Sequence, residues 1–165
     1  MPEFAGIALE DEEDTQKDKF LTFSLGTEVY GIEIKFVTEI IGMQSFTQIP
    51  DMPEYVKGII NLRGKIIPVI DVRLRFKKMY REYNDRTCIV VVDIKSITLG
   101  LIVDAVEEVL VIAGQEIVLP PQFNNGNYHQ RFIKGIGKVG KEVKLILDSD
   151  KLLSDNEMNS LEQVC

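Results

Sequence analysis

The sequence predicts a mostly β fold built from two similar lobes, and two observations lead to this prediction. Apolar and polar residues alternate over short segments that glycine, proline and polar residues separate, a pattern typical of half-buried strands. The chain also matches itself, because residues 19–41 align with residues 88–110 at a shift of 69 positions without a gap. Chance similarity between two β-rich segments is the alternative to a true repeat.

The first predicted lobe, about residues 19–85, contains short extended segments and one short helix. Its extended segments, in chain order, are residues 20–25, 30–36, 45–49, 56–62 and 65–71. The period changes after residue 36, because Val37, Ile40 and Ile41 stand at i, i+3 and i+4, which predicts a helix. Pro68 cannot donate a hydrogen bond to a ladder, so we expect the last segment at a sheet edge or a bulge.

The second predicted lobe, about residues 86–152, repeats this order. At a shift of 77 positions, residues 56–59 fall on 133–136 and residues 66–71 fall on 143–148. A C-terminal helix is predicted at about residues 154–164, because Ser154 and Glu157 have the spacing of a capping box. Its apolar stripe indicates a helix that packs against the core rather than one that docks on a partner.

Residues 135–140 match the pattern GxGxxG by letter, which raises the question of a dinucleotide site. Such a site needs a strand before the glycines and a helix after them. The residues that follow, 141–147, favour a strand instead. The pattern therefore indicates a hairpin with its turn at Gly140 and Lys141.

Charge is distributed unevenly along the chain. Residues 1–18 hold seven acids and one base, and so contribute −6 of the formal net charge of −7. We expect this stretch to be a flexible, solvated tail. The rest of the chain is nearly neutral, whereas a general nucleic-acid-binding protein should be strongly basic, so that class is disfavoured.

The scarcity of histidine and cysteine disfavours metal and nucleophilic chemistry. The chain has one histidine, His129, and two cysteines, Cys88 and Cys165, so no zinc motif of the CxxC or HxxxH kind can be written. Cys88 lies in an apolar strand pattern, so we expect a core residue and a reducing, intracellular setting. No local motif ties a nucleophile to His129, so we expect a solvated loop residue rather than a general base.

Four acidic residues could be imagined as a catalytic pair, but carboxylates at strand ends are usually solvated. They are Asp93, Asp104, Glu107 and Glu108. We expect no catalytic role for them.

The sequence shows no signs of targeting to a membrane. The N-terminus lacks the basic start and apolar stretch of a signal peptide, so we expect none. No apolar run approaches the ~18 residues that a membrane-spanning helix needs.

The most basic stretch, residues 63–86, carries eight lysines and arginines, with Tyr80 and Tyr83 among them. It could be a surface for RNA or another anionic partner, or a solvated connection between the lobes. Arg63 differs from the rest, since Gly64 beside it predicts a turn. A planar guanidinium on a rigid turn can form a bidentate pair with a partner's carboxylate, although an ordinary turn arginine would give the same pattern.

Residues 56–73 read VKGIINLRGKIIPVIDVR, which closely resembles the signature of the CheW family of bacterial chemotaxis coupling proteins. Other segments follow in the order of that family, namely residues 20–26, 30–34, 37–40, 100–104 and 151–153. The resemblance covers about residues 19–160. No kinase ATP site, phosphotransfer domain or receiver domain accompanies it, so we expect a free-standing coupling protein with an acidic tail at residues 1–18.

The resemblance implies two packed five-stranded SH3-like barrels with short helices, no catalysis and no cofactor. It implies a cytoplasmic adaptor at membrane-associated arrays, which does not itself insert into the membrane. Such an adaptor joins the tips of methyl-accepting chemotaxis receptors to the regulatory domain of the histidine kinase CheA. A small RNA-binding β-barrel is the alternative function, and salt-dependent binding of RNA would distinguish it.

The resemblance also implies two kinds of contact residue. The receptor-facing residues would be Ile34, Val37, Glu39 and Arg63. The kinase-facing residues would be Lys57 and Gly58 in the first lobe and Phe123 in the second. Phe123 could instead be a buried core residue, because apolar aromatic side chains are usually inside.

Overall fold

The computed structural model describes residues 16–119 and 132–164, which form a mostly β architecture. The strands are β1 Lys19–Leu25, β2 Glu28–Glu33, β3 Val37–Gly42, β4 Val56–Leu62, β5 Lys65–Asp71, β6 Cys88–Ile94, β7 Ile97–Val103, β8 Ala105–Val111, β9 Ile117–Val118, β10 Ile133–Val139 and β11 Glu142–Leu147. The helices are α1 Val72–Arg75 and α2 Asp155–Val164, with 3₁₀ turns at Ile34–Phe36, Gly114–Glu116 and Ser149–Lys151.

The strands form two sheets, and each sheet takes strands from both halves of the chain. The first sheet has the order β8-β1-β2-β11-β10-β9, and the second has the order β3-β6-β7-β5-β4. The halves meet in four pairings: β2 with β11 and β5 with β7 are parallel, whereas β1 with β8 and β3 with β6 are antiparallel. The boundary between the expected lobes, 19–85 and 86–152, therefore does not coincide with a boundary between the sheets.

The strands follow the self-match of the sequence. β1 and β6 begin 69 residues apart and hold the same place in the two sheets, as do β2 and β7. β4 and β10 begin 77 residues apart, and each is paired with the strand that follows it. The two sheets thus have matching strand orders, apart from the two-residue β9 at the end of the first.

The predicted helix at residues 37–41 is wrong, because this segment is strand β3. It pairs with β6, with Ile40 opposite Val90 and Ile41 opposite Ile89. Burial alternates along β3, so Ile41 packs inward while Ile40 is 44% exposed. Val37, Ile40 and Ile41 have helical spacing only because Ile40 is apolar, although it is exposed on the sheet. The β-branched side chains of this segment favour a strand.

Pro68 lies in a strand with neighbours on both sides, so the prediction of a sheet edge is wrong, although β4 beside it has a bulge between Val56 and Gly58. Opposite Pro68, Ile59 directs its N–H and its carbonyl to Thr47, at 2.9 Å each. Pro68 therefore need not donate a hydrogen bond to β4. On its other side, β5 pairs with β7 only from Val69 onwards, so no bond from Pro68 is needed there either. The strand predicted at residues 45–49 does not form, apart from this single bridge between Thr47 and Ile59.

Apolar side chains fill three clusters, one inside each sheet and a larger one between the sheets. The cluster of the second sheet draws on all five strands and includes Ile41, Ile60, Ile67, Val69, Ile89, Val91 and Ile102. That of the first sheet includes Phe20, Leu110, Ile112, Ile117, Val139 and Ile146. Val90 and Val92 of β6 point to the cluster between the sheets, so β6 is apolar on both faces. The prediction of a mostly β fold with short helices is confirmed, and the two packed sheets have six and five strands where five each were expected.

The hairpin and the C-terminal helix confirm two local predictions. Val139 pairs with Glu142, so Gly140 and Lys141 form a two-residue turn and not a nucleotide loop. At the start of α2, the Glu157 amide donates to the Ser154 hydroxyl at 3.2 Å. The Ser154 amide in turn donates to the Glu157 carboxylate at 2.8 Å, which completes the capping box.

A buried arginine holds α2 against the sheets. The side chain of Arg75 is 4% exposed, and its Nε donates to the carbonyl of Leu152 at 2.6 Å. Its guanidinium donates to Glu157 at 3.0 Å and lies 4.5 Å from the ring centre of Tyr55 and 4.9 Å from that of Phe132. The Tyr55 hydroxyl also donates to Glu157, so a single carboxylate joins the helix to the arginine and the tyrosine.

We expect Arg75→Ala to lower the free energy of unfolding by about 3 kcal/mol, because it leaves buried partners unsatisfied and opens a cavity. Lys95→Ala is the matched control, since Lys95 pairs with Asp155 of α2 at 3.4 Å in an exposed position. That control should change the free energy by less than about 0.5 kcal/mol. Urea denaturation followed by circular dichroism measures both, and equal small losses would show that Arg75 does not anchor α2.

Candidate functional site

The structure brings together the residues predicted to face a receptor. Glu39 lies on β3 and Arg63 lies in the turn between β4 and β5, and the Arg63 guanidinium donates to the Glu39 carboxylate. Ile34 is in the 3₁₀ turn that precedes β3, and the Val37 amide donates to its carbonyl. Ile34 and Val37 are partly buried and pack against the cluster between the sheets. We call these four residues the Arg63 face.

The Arg63–Glu39 ion pair leaves the guanidinium accessible. The Arg63 side chain is 72% exposed and that of Glu39 is 25% exposed. Such an exposed pair contributes little to stability, between about 0 and 1 kcal/mol. Its effect is to orient the arginine, whose planar group has N–H donors to spare for a further carboxylate.

The backbone at Arg63 is in a conformation that arginine seldom adopts. Its φ is +52°, and Gly64 after it has a φ of +84°, so both residues of this two-residue turn are left-handed. The side chain of Asn61 accepts a hydrogen bond from the Gly64 amide at 2.8 Å and secures the turn. Asparagine or glycine is favoured where Arg63 stands, and a bulkier residue costs about 1 kcal/mol. The turn thus fixes the place of the arginine side chain on the surface, as the left-handed turn at Lys95 and Ser96 does for its own residues.

A second polar row lies beside the Arg63 face, and the sequence did not indicate it. The Lys65 ammonium donates to the Thr98 hydroxyl at 2.7 Å, and that hydroxyl donates to Asp93 at 2.6 Å. These residues belong to β5, β7 and β6, which are neighbours in the second sheet. Asp93 is thus a hydrogen-bonded strand-end carboxylate. Only the sheet order, which the sequence pattern does not encode, shows that these three residues are adjacent.

Lys57 and Gly58, predicted to face a kinase, begin β4, and Arg63 follows the end of that strand. A separation of six residues along a strand corresponds to about 20 Å. The Lys57 ammonium lies 5.2 Å from the ring centre of Tyr80, which is 53% exposed. Met79 beside it is 85% exposed. The end of β4 near Lys57 therefore carries an apolar patch that sequence reasoning missed.

Gly58 is buried and has a structural role of its own. Its φ is +155°, and a Cβ built on it would lie 2.3 Å from the carbonyl oxygen of Thr47. The glycine therefore allows the segment at Thr47 to approach β4, and any side chain there would separate them. Phe123, the third residue predicted to face a kinase, lies outside the described residues, as does His129.

A bidentate ion pair links the two halves of the chain. Asp104, between β7 and β8, accepts from Arg73 Nε at 2.7 Å and Arg73 Nη2 at 2.6 Å. It also accepts from the Gly26 amide at 2.7 Å and from Arg81 at 3.2 Å. Partial burial acts to raise the pKa of Asp104, but the hydrogen bonds from Arg73 and Gly26 outweigh it and hold that pKa below its usual range. Asp104 is a structural carboxylate, not half of an acid pair.

The described part of the chain holds neither a metal-ligating cluster nor a membrane-spanning helix. Within residues 16–119 and 132–164, no three His, Cys, Asp or Glu side chains are grouped so as to hold a metal ion. None of the helices in those ranges has the length and apolar character needed to cross a membrane. Arg63, predicted to contact a receptor, and Lys57, predicted to contact a kinase, lie near opposite ends of β4.

We expect Asp104→Asn to lower the free energy of unfolding at pH 7. We also expect the free energy of this variant to decrease less than that of the unaltered chain as the pH is lowered. The folded-state pKa is below the unfolded one, so the unfolded chain binds the proton first as the pH drops below about 4. Stability from Asp104 is thus present above that pH and is lost below it. Urea titrations between pH 7 and pH 3 measure this.

Glu116→Gln is the control, since Glu116 is an exposed carboxylate without an ion pair among the described residues. It should keep the pH profile of the unaltered chain. An Asp104→Asn protein with that same unaltered profile would contradict the assignment.

Comparison with known proteins agrees with this geometry. The family model described as the CheW-like domain matches residues 19–157. Chemotaxis protein CheW of Klebsiella aerogenes is 35% identical over 151 residues, which cover 92% of this chain and 90% of that protein. Chemotaxis protein CheW of Treponema pallidum is 35% identical over 147 residues, which cover 87% of this chain and 86% of that one.

A solved structure shows the same fold. The crystal structure of scaffolding protein TtCheW from Thermoanaerobacter tengcongensis superposes with a TM-score of 0.77 at 40% sequence identity. The match covers 85% of this chain and 90% of that one. Both the family model and relatives above 30% identity extend over most of the sequence. This chain therefore belongs to the CheW-like family of chemotaxis scaffold proteins.

Proposed function

We propose that this protein is a non-catalytic cytoplasmic adaptor that couples the tips of chemotaxis receptors to the histidine kinase CheA. The observation that carries the proposal is the exposed Arg63, held on a strained turn and oriented by Glu39. Membership of a family of chemotaxis scaffold proteins supports it. The adaptor works at receptor arrays on the membrane without entering the bilayer.

The Arg63 face binds the receptor in this proposal. Ile34 and Val37 supply partly exposed apolar surface, and Glu39 and Arg63 supply charge. A receptor carboxylate shares the guanidinium with Glu39, because the arginine fork has more donors than one carboxylate uses. The charges then determine the register of the receptor helix more than the strength of binding.

The kinase regulatory domain binds at two places in this proposal. Lys57 forms the first contact together with the exposed Met79 and Tyr80 beside it, and the buried Gly58 shapes this contact by holding Thr47 close to β4. Phe123 forms the second. Because Lys57 and Arg63 lie at opposite ends of β4, receptor and kinase do not compete for the same surface. Several weak contacts on one rigid scaffold then gain strength together in an array.

We expect Arg63→Asn to weaken binding of a receptor-tip fragment about 30-fold, which corresponds to about 2 kcal/mol at an interface hot spot. Asparagine fits the left-handed turn, so the free energy of unfolding should stay within about 0.5 kcal/mol or rise. Isothermal titration calorimetry and urea denaturation measure the two quantities.

Arg86→Asn is the control, because Arg86 is exposed and has no ion pair among the described residues. It should leave receptor binding unchanged. Equal affinity of the Arg63→Asn and Arg86→Asn proteins for the fragment would remove the Arg63 face from the receptor contact.

We expect Lys57→Glu to weaken one-to-one binding of the kinase regulatory domain about tenfold, while Phe123→Ala leaves that binding intact but impairs assembly of kinase, adaptor and receptor into arrays. Lys138→Glu, an exposed change on β10, is the control.

Gly58→Asp would not test the kinase contact alone, since the new side chain would also displace Thr47. Titration with the kinase domain and sedimentation of arrays separate the two contacts. A Phe123→Ala protein that melts lower but assembles normally per folded molecule would show Phe123 to be a core residue.

A further inference from the structure

A cleft of about 490 Å³ at the start of β1 is lined by more lysines than carboxylates. Its charged residues are Lys17, Lys19, Lys35 and Lys134, with Asp18 and Glu33. We call this site the lysine cleft. It is built from four places in the chain, because residues 16–20 lead into β1, Lys35 belongs to the 3₁₀ turn, and Ile117 and Lys134 belong to β9 and β10.

The charges within the cleft do not balance. Glu33 pairs with Lys35 at 3.3 Å and also with Lys134, so one carboxylate serves two ammonium groups. Lys17 and Lys19 form no ion pair with any described residue, and Lys35 and Lys134 keep 59% and 41% of their side chains exposed. The cleft therefore has an excess of two positive charges and accessible donors for an anionic ligand.

An anionic segment of this chain begins within reach of the cleft. Residues Glu10–Asp14 are five consecutive acids, and they precede Gln16, which lines the cleft, by two to six positions. That distance corresponds to about 7–22 Å of extended chain. The start of β1 is held in place, because the Ile112 amide donates to the Asp18 carbonyl at 2.8 Å. Elsewhere in the sequence no run of consecutive acids is longer than two residues, so no other segment of comparable charge competes for this site.

We propose that the acidic segment Glu10–Asp14 binds the lysine cleft of its own chain. Short linkage gives the segment a high effective concentration at the cleft, so weak ion pairs suffice. Lys35 directly follows Ile34 in the 3₁₀ turn, so the bound segment lies next to Ile34, at one edge of the Arg63 face. This second step rests on the proposed receptor function. The segment then acts as a competitor that a receptor must displace.

Paramagnetic relaxation tests the contact without a receptor. A spin label is placed by Leu9→Cys, next to the intact acidic block, after Cys88 and Cys165 are replaced by serine. We expect broadening of the amide signals of Lys35, Ile117 and Lys134 at low salt. The broadening should fall severalfold at about 1 M salt, where the Debye length is only about 3 Å.

Charge variants identify the partner of the segment. Lys35→Gln with Lys134→Gln should remove most of the broadening at Ile117. The control, Lys138→Gln with Lys141→Gln, changes two exposed lysines of the β10–β11 hairpin and should leave it unchanged. Equal broadening in both double variants and at both salt concentrations would overturn the proposal. So would broadening of an isotope-labelled copy by a spin label on another copy, since the segment would then bind between chains.

Receptor affinity tests the second step. Replacing the five acids by their amides should raise the affinity for a receptor-tip fragment about fivefold at low salt and by much less at high salt. Unchanged affinity at both salt concentrations would overturn this competition at the edge of the Arg63 face. If neither protein binds the fragment, the proposed adaptor function fails, while the relaxation data still decide whether the segment binds the cleft.

Discussion

Two short parallel pairings, β2 with β11 and β5 with β7, join hairpins that come from different halves of the chain. Neither sheet is complete without them, because each sheet takes one hairpin from one half and all its other strands from the other half. The antiparallel pairings of β1 with β8 and β3 with β6 join the halves on the other side of each hairpin. The large apolar cluster between the sheets and the Asp104 contact with Arg73 and Gly26 cross the same boundary. The chain therefore folds as one cooperative unit, and its surfaces keep fixed positions relative to one another.

The proposed contact surfaces depend on this rigidity. β4 is an edge strand, yet its two ends present different chemistry: an apolar patch with Lys57 at one end and the oriented Arg63 at the other. The strained turn keeps Arg63 in place because Asn61 and the adjoining ladder secure it. An adaptor needs such separation, because a partner bound at one end must not obstruct the partner at the other.

Most strand positions, the hairpin at Gly140 and the capping box of α2 could be predicted from the sequence, since each follows from local spacing. Strand β3 could not, because the exposed Ile40 gave it a helical spacing. The pairing of strands could not be predicted, because the alternation of apolar and polar residues indicates which side chains are buried but not which strand lies next to which. The same limit hid the burial of Arg75, which looked like one more cation in a basic stretch. Within the candidate site, the family signature indicated Glu39 and Arg63, but their mutual contact depends on strands that are distant in sequence. The role of Gly58 against Thr47 needed coordinates for the same reason.

The exchange of hairpins between the halves also has an evolutionary reading. Two separate copies of a half-length ancestor, each with strands equivalent to β1–β5, would form the same two sheets between them as a swapped homodimer. Gene duplication and fusion would then join two partners that already folded together, with no loss of pairing. Once joined, the two copies were free to diverge, so that a turn carrying Arg63 in one half corresponds to the plain Gly140 turn in the other. A symmetric dimer would thereby become an asymmetric connector with different faces for different partners.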